Sequence, residues 1–220
     1  MTNRWATFDC YGTLIDWNRG ISDALQGLWP DADRDQLLRC YHEVEPQVQA
    51  AGARPYREVL GMCTSQIAAV FGLPAVPDAL TALAESLPTW PPFPEVPGAL
   101  QALRDQDWRL GVLSNTDPDL LDASMAALGV PVDMTVTVAE AGSYKPAPGH
   151  WEACRRISGV APEHHVHVAA SLYHDIAPCA DLGIPSVWIN RLGETSGLPR
   201  AGELPDCQEL APTLARLVSL

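Results

Sequence analysis

The sequence predicts an α/β protein, a Rossmann-like parallel sheet with helices on both faces and a helical domain inserted into it. Three observations carry this. A short apolar segment, Trp5-Ala6-Thr7-Phe8, has the β-branched and aromatic content of a buried strand and ends at Asp9, with a turn marked by Gly12. From Gly98 onward, helical and strand patterns alternate at the pitch of a helix-covered parallel sheet. Between these two regions lie four consecutive helical stretches and no strand pattern. The economical arrangement is a core of residues 1–15 and 93–220 interrupted by a helical cap at 16–92. The 220 residues suffice for a sizeable hydrophobic core without covalent staples.

Taken in order, the first strand hands over to a helix at 19–29, where Ile21, Leu25 and Leu28 recur at helical spacing and Pro30 stops it. A second helix starts near Arg34, with Leu37, Leu38, Tyr41, Val44 and Val48 on one face, and runs to a break at Ala51-Gly52-Ala53. A third spans Tyr56 to Phe71, and a short fourth Pro77 to Leu87. Pro88, Pro91, Pro92, Pro94 and Pro97 then exclude a regular element and mark the return to the core. Beyond them the pattern predicts helix at 98–106, strand at 110–113, helix at 119–128, strand at 134–138, helix at 147–157, strand at 166–169, helix at 176–182 and strand at 186–189. Residues 193–207 are rich in Gly, Pro and Glu and read as a surface loop before a last helix at 212–220.

Charge and composition exclude several classes. The net charge of -13, with no basic cluster, opposes binding to a phosphate backbone, so nucleic acid is not an expected partner. No stretch reaches the about 18 apolar residues of a membrane span, and no charged segment followed by an apolar run opens the chain, so a cytoplasmic protein without a membrane partner is expected. The six cysteines form no CxxC pair and have no His at ligand spacing, so neither a zinc site nor a redox pair is indicated.

Four expected strand ends present polar side chains toward one crevice, the region where open α/β sheets bind ligands. They are Asp9, then Ser114-Asn115, then Lys145 in Ser143-Tyr144-Lys145-Pro146, and then Ser171 to Asp175. Each has an ordinary structural use: a turn for Asp9, helix caps for Ser114 and Asp175, and a solvated lysine before a proline.

In series, these motifs resemble those of the haloacid dehalogenase superfamily over nearly the whole chain: Phe8-Asp9-Cys10-Tyr11-Gly12-Thr13-Leu14, Leu113-Ser114-Asn115, Tyr144-Lys145-Pro146, and Asp175 within Ala170-Ser171-Leu172-Tyr173-His174-Asp175. Phosphatases of that superfamily carry an acid two residues after the nucleophile and an acidic magnesium ligand at the start of the fourth motif. Here Tyr11 stands at the first of these positions, and the fourth motif reads Ala169-Ala170-Ser171. Tyr11 is similar to the residue found in the L-2-haloacid dehalogenases, whose chemistry needs neither a general acid nor a metal, because halide is a stable leaving anion.

The resemblance implies that Asp9 is the nucleophile, forming an ester with a short 2-haloalkanoic acid that water then hydrolyses. Lys145 would hold Asp9 ionised, Asp175 would activate the water, and Thr13 would hydrogen-bond the nucleophile. Ser114 would receive the substrate carboxylate, and Asn115 with Arg39 would stabilise the departing halide. Tyr11, Trp151 and Ser171 complete the substrate side, Trp151 standing where the family usually has Tyr. The family's fourth motif carries Ser and Asn where this chain has Ala170 and Leu172, leaving Ser171 or His174 to supply a polar contact. No cofactor is implied, the partners are a small carboxylic acid and halide, and a homodimer is left open. Two other readings stand beside this one: a magnesium-dependent phosphatase of small phosphometabolites, and a catalytically weak binding protein for a small acid.

Overall fold

A computed structural model describes residues 4–52 and 54–218. By its internal contacts the chain forms two compact units. One takes in the residues up to Ile15, Pro92–Asn115 and those from Leu128 on; the other comprises Asp16–Pro91 and Thr116–Ala127.

The first unit is built on a parallel sheet. Its strands are β1 (Trp5–Phe8), β2 (Arg109–Leu113), β3 (Met134–Val136), β4 (His165–Ala169), β5 (Ser186–Ile189) and β6 (Gly202–Leu204). They lie in the order β3-β2-β1-β4-β5-β6, and every neighbouring pair is parallel. Strand β1 is central, with Phe8 paired to Val112 on one side and to Val168 on the other. All three side chains are fully buried, as expected of strands covered on both faces. The chain runs outward from β1 through β2 to β3, then crosses back to place β4 on the far side of β1. The β1/β4 boundary is therefore the topological switch point, the position where such sheets open a crevice at their carboxyl ends.

Five strands match the expected ones, with two differences in detail. Strand β3 stops at Val136, because Thr137 turns to cap a one-turn helix, Val138–Ala141, by a capping box with Glu140. The loop expected at 193–207 contains β6, a three-residue edge strand too short to leave a pattern. The closing helix covers Leu210–Leu217; its expected last residues, 219–220, lie outside the described ones, as does Ala53 at the expected break.

The second unit contains α1 (Trp17–Leu28), α2 (Arg34–Ala50), α3 (Tyr56–Phe71) and α4 (Ala82–Ser86). The expected fourth helix is only partly regular: residues 77–81 form turns, Asp78 has φ 62°, and a 3-10 turn at Leu87–Thr89 follows α4. In α1, a Cβ on Gly20 would fall 2.2 Å from the Trp90 ring, so only glycine allows that tryptophan to seat. Helix α3 begins at Pro55, which offers no capping side chain. Its exposed N–H groups are met from a distance, Tyr56 and Arg57 donating to the Asp117 carboxylate at 2.9 and 3.0 Å. Arg57 also reaches Asp119 at 2.6 Å, which ties the start of the helix Pro118–Leu128 into this unit.

Candidate active site

The site is assembled where β1, β2 and β4 end. After Phe8 the main chain stays in the sheet for one more residue, Asp9 N donating to Val168 O at 3.1 Å. It then folds into a tight flap: Gly12 adopts φ 88°, and Leu14 N and Ile15 N both donate to Cys10 O. The flap places Thr13 back over the strand end, so that Thr13 Oγ1 donates to Asp9 Oδ2 at 2.9 Å and accepts from Ala170 N at 2.9 Å. One hydroxyl thus links the loops that follow β1 and β4. The Arg191 guanidinium holds the flap from outside, donating to Thr13 O at 3.0 Å while paired with Glu95 at 2.8 Å.

Lys145 is the hinge of the constellation. Its side chain is almost fully buried, and its three N–H bonds are all committed: to Asp9 Oδ1 at 2.9 Å, Leu113 O at 2.9 Å and Asp175 Oδ1 at 2.7 Å. Burial alone would favour the neutral amine. The charges of Asp175 and Asp9 outweigh it and hold the ammonium above its ordinary range. The Lys145 backbone is fixed with equal care, its N–H donating to Asn115 Oδ1 at 2.7 Å and its carbonyl accepting from Asn115 Nδ2 at 3.1 Å.

Asp175 sits in a π-helical turn, Leu172–Ile176, with the Ile176 N–H reaching back to Ser171 O at 3.1 Å and the Ser171 side chain accepting from His174 N at 3.0 Å. Such turns are frequent at functional sites because they re-aim one side chain within a helix. The Asp175 side chain has no exposed surface. Burial would raise its pKa, but the Lys145 charge and a hydrogen bond from His167 hold the carboxyl well below the usual carboxylate range. Its Oδ1 carries both of these contacts, Lys145 at 2.7 Å and His167 Nε2 at 3.0 Å. Its Oδ2 is buried without a hydrogen-bond partner among the described residues.

Of the residues expected from the sequence, Asp9, Thr13, Asn115, Lys145 and Asp175 form one hydrogen-bonded cluster. Ser114 adjoins it, buried, with its Oγ lacking a partner among the described residues. His150 Nε2 lies 3.1 Å from Ser114 O, and burial beside the Lys145 charge lowers this imidazole to about 4. Ser171 acts locally as the cap of the turn that presents Asp175. Asn115 is engaged by its amide with Lys145, and Trp151 packs in the core, edge-on to His167 with ring centroids 5.7 Å apart. Arg39 lies exposed on α2, in the helical unit, and Tyr11 is half-buried in the flap. His167 and Arg191 were not expected from the sequence. A signal for His167 was present in His165-Val166-His167, where period-2 alternation puts two histidines on one face of a strand.

Comparison with known proteins agrees with this geometry. The family model described as haloacid dehalogenase-like hydrolase matches residues 4–183. Among curated proteins, the chain is 27% identical over 208 residues to haloacetate dehalogenase H-2 of Moraxella sp. (strain B), covering 90% of each. It is 26% identical over 223 residues to (S)-2-haloacid dehalogenase 1 of Pseudomonas sp. (strain CBS-3), covering 97% of each. Among solved structures, the L-2-haloacid dehalogenase RSc1362 superposes with a TM-score of 0.86 at 24% identity over 96% of this chain and 98% of that one. The L-2-haloacid dehalogenase of Xanthobacter autotrophicus with chloropropionic acid covalently bound gives 0.85 at 18% identity over 97% and 98%. With its sheet order, its strand-end carboxylates and a family match across most of its length, the chain belongs to the haloacid dehalogenase-like hydrolases.

Proposed function

We propose that this hydrolase cleaves the carbon–halogen bond of a short 2-haloalkanoic acid through an aspartyl ester on Asp9, without a metal ion. The observation that carries the reading is the Lys145 ammonium between Asp9 and Asp175, with every N–H committed. It supplies, inside the fold, the positive charge that keeps a carboxylate nucleophile available. It stands between the two carboxylates, engaging one oxygen of each, where a magnesium ion shared by Asp9 and Asp175 would bring a second positive charge. Ala170, at the start of the fourth motif, offers no side-chain ligand.

In the first step an Asp9 oxygen attacks C2 of the acid, the new C–O bond forming as the C–X electron pair departs with the halide. Thr13 and Lys145 hold the carboxylate in orientation, one on each oxygen. Ser114 takes the substrate carboxylate, and Arg39 keeps the halide role that the resemblance gives it. In the second step water attacks the Asp9 carbonyl carbon, Asp175 accepts one of its protons and passes it to the alkyl oxygen, which leaves as the hydroxyl of a 2-hydroxy acid, and the other proton is lost from the regenerated Asp9 carboxyl to solvent. The balance is one acid and one water consumed, with one hydroxy acid, one halide and one proton released. The named relatives support the substrate class: they are haloacetate and 2-haloacid dehalogenases, and the Xanthobacter enzyme of the same fold holds chloropropionic acid covalently.

The test is halide release from chloro-, bromo- and fluoroacetate and from (S)-2-chloropropionate in the presence of EDTA, beside a generic phosphoester with and without magnesium. Halide release untouched by chelator is expected, with Asp9→Asn inactive because an amide cannot replace the attacking carboxylate. Full turnover by Asp9→Asn, or phosphoester hydrolysis that EDTA abolishes, overturns the reading.

A further inference from the structure

His167 belongs to a polar chain that runs through the interior on one face of the sheet. Register pairs Thr7 of β1 with His167 of β4, and His165 lies two residues earlier on the same face. Thr7 Oγ1 lies 2.7 Å from His165 Nε2 and 2.9 Å from His167 Nδ1, and His167 Nε2 lies 3.0 Å from Asp175 Oδ1. Thr7 and His167 are fully buried and His165 nearly so.

Proton positions follow from the far end. The Asp175 carboxylate only accepts, so His167 Nε2 carries the proton that joins them. On its other side the His167 ring faces the Thr7 hydroxyl through Nδ1, and the same hydroxyl meets His165 Nε2. His165 is held neutral by burial, its pKa lowered to about 3. The Asp175 carboxylate is thus the end of a chain of three further buried polar groups, His167, Thr7 and His165.

We propose that His167 is a positioning residue for ester hydrolysis: together with Lys145 it saturates Asp175 Oδ1, leaving Oδ2 as the oxygen that takes the proton of the attacking water. This rests on the reading of Asp9 as the ester-forming nucleophile. The proposal accounts for a gap, since Ala170 and Leu172 stand where the resemblance has the Ser and Asn of a water site, and neither can orient Asp175 or a water by a side-chain hydrogen bond. Support for the base instead comes from beneath, through the strand, where Lys145 and His167, both donating to Oδ1 from different directions, restrain carboxylate rotation. His167 touches no reacting atom; it acts through Asp175.

The two half-reactions separate this role from a structural one. His167→Leu and His167→Gln are compared with the unaltered enzyme on (S)-2-chloropropionate, reading halide in the first turnover, steady-state halide, and the covalent adduct on the intact protein by mass spectrometry. Thermal unfolding of each variant is followed in parallel. For His167→Leu the expected result is a halide burst stoichiometric with enzyme at nearly the normal rate, then steady turnover slower by about 100-fold, with the Asp9 adduct accumulated. His167→Gln, which keeps an N–H near the Nε2 position, recovers most of the turnover. Thr7→Val, which leaves Asp175 and His167 in place, shows the same split at smaller size and serves if His167→Leu does not fold. Equal slowing of burst and steady state, or slow turnover with no accumulated adduct, overturns the proposal. An unaltered enzyme that gives neither halide nor adduct overturns the reading of Asp9, and the proposal falls with it.

Discussion

Two buried carboxylates, one in each unit, meet opposite fates. Asp175 in the sheet unit and Glu45 on α2 in the helical unit are both almost wholly removed from solvent, at 0% and 6% exposure. Glu45 accepts from two neutral groups, the Gln49 amide and the Tyr56 hydroxyl at 3.5 Å, and burial pushes it up to about 7 in spite of their hydrogen bonds. Asp175 is desolvated at least as fully, yet the Lys145 ammonium and the His167 N–H hold it low. Burial alone favours the neutral acid, and a neutral acid cannot take a proton from water. What keeps Asp175 ionised is a cation placed 2.7 Å away.

Lys145→Met is the severest way to break this contrast. It leaves Asp9 and Asp175 buried together without a cation, and turnover should fall by at least about 1,000-fold in steady-state halide release. Denaturant unfolding at pH 7 should show about 3–5 kcal/mol lost, since an unpaired buried charge remains.

The pH dependence of stability sharpens the comparison, because the two groups act in opposite directions. The folded pKa of Asp175 lies below its ordinary 3.8, so its contribution to stability is present above about pH 4 and is lost as pH falls through the folded value. The folded pKa of Glu45 lies above its ordinary 4.5, so its contribution is complete below that value and is lost as pH rises through about 7. Glu45→Gln should therefore raise the melting temperature at pH 8 relative to the unaltered chain and change it little at pH 5, by an amount worth up to about 3 kcal/mol. Acid sensitivity below pH 4 should persist in that variant. The smallest effect expected concerns the helical unit alone: Asp117→Ala removes the distant cap of α3 and should cost about 1 kcal/mol in thermal unfolding without changing the burst of halide.

The two regions also differ in how far they could be read beforehand. In the sheet unit the central strands announce themselves, because strands covered on both faces are short apolar runs and because polar residues, Asp9 after β1 and Ser114-Asn115 after β2, follow directly on them. The edge strand β6 and the one-turn helix at 138–141, three and four residues long, are too short for a periodic pattern to repeat. The pairing of Asp9 with Lys145 crosses 136 residues and that of Thr7 with His167 crosses 160, so neither follows from local spacing without the register. The π-turn that aims Asp175, at Leu172–Ile176, precedes the helix expected at 176–182 and has no signature in hydrophobic periodicity. In the helical unit, α2 and α3 were legible from their apolar stripes, whereas the 77–81 segment was not, its alanine and leucine content suiting a helix that Asp78, at φ 62°, interrupts.

The shared ammonium has a consequence for the timing of release. Two carboxylates with one lysine give the resting cluster a formal charge of one minus. Once Asp9 is esterified only the Lys145–Asp175 pair remains charged, and it is neutral overall. The anionic organic group is therefore held during the one interval in which its surroundings do not repel it. In the proposed cycle, freeing the ester restores the Asp9 carboxylate beside a newly formed hydroxy-acid anion, so that completing the chemistry also favours departure of the product. The proposed cycle is self-clearing.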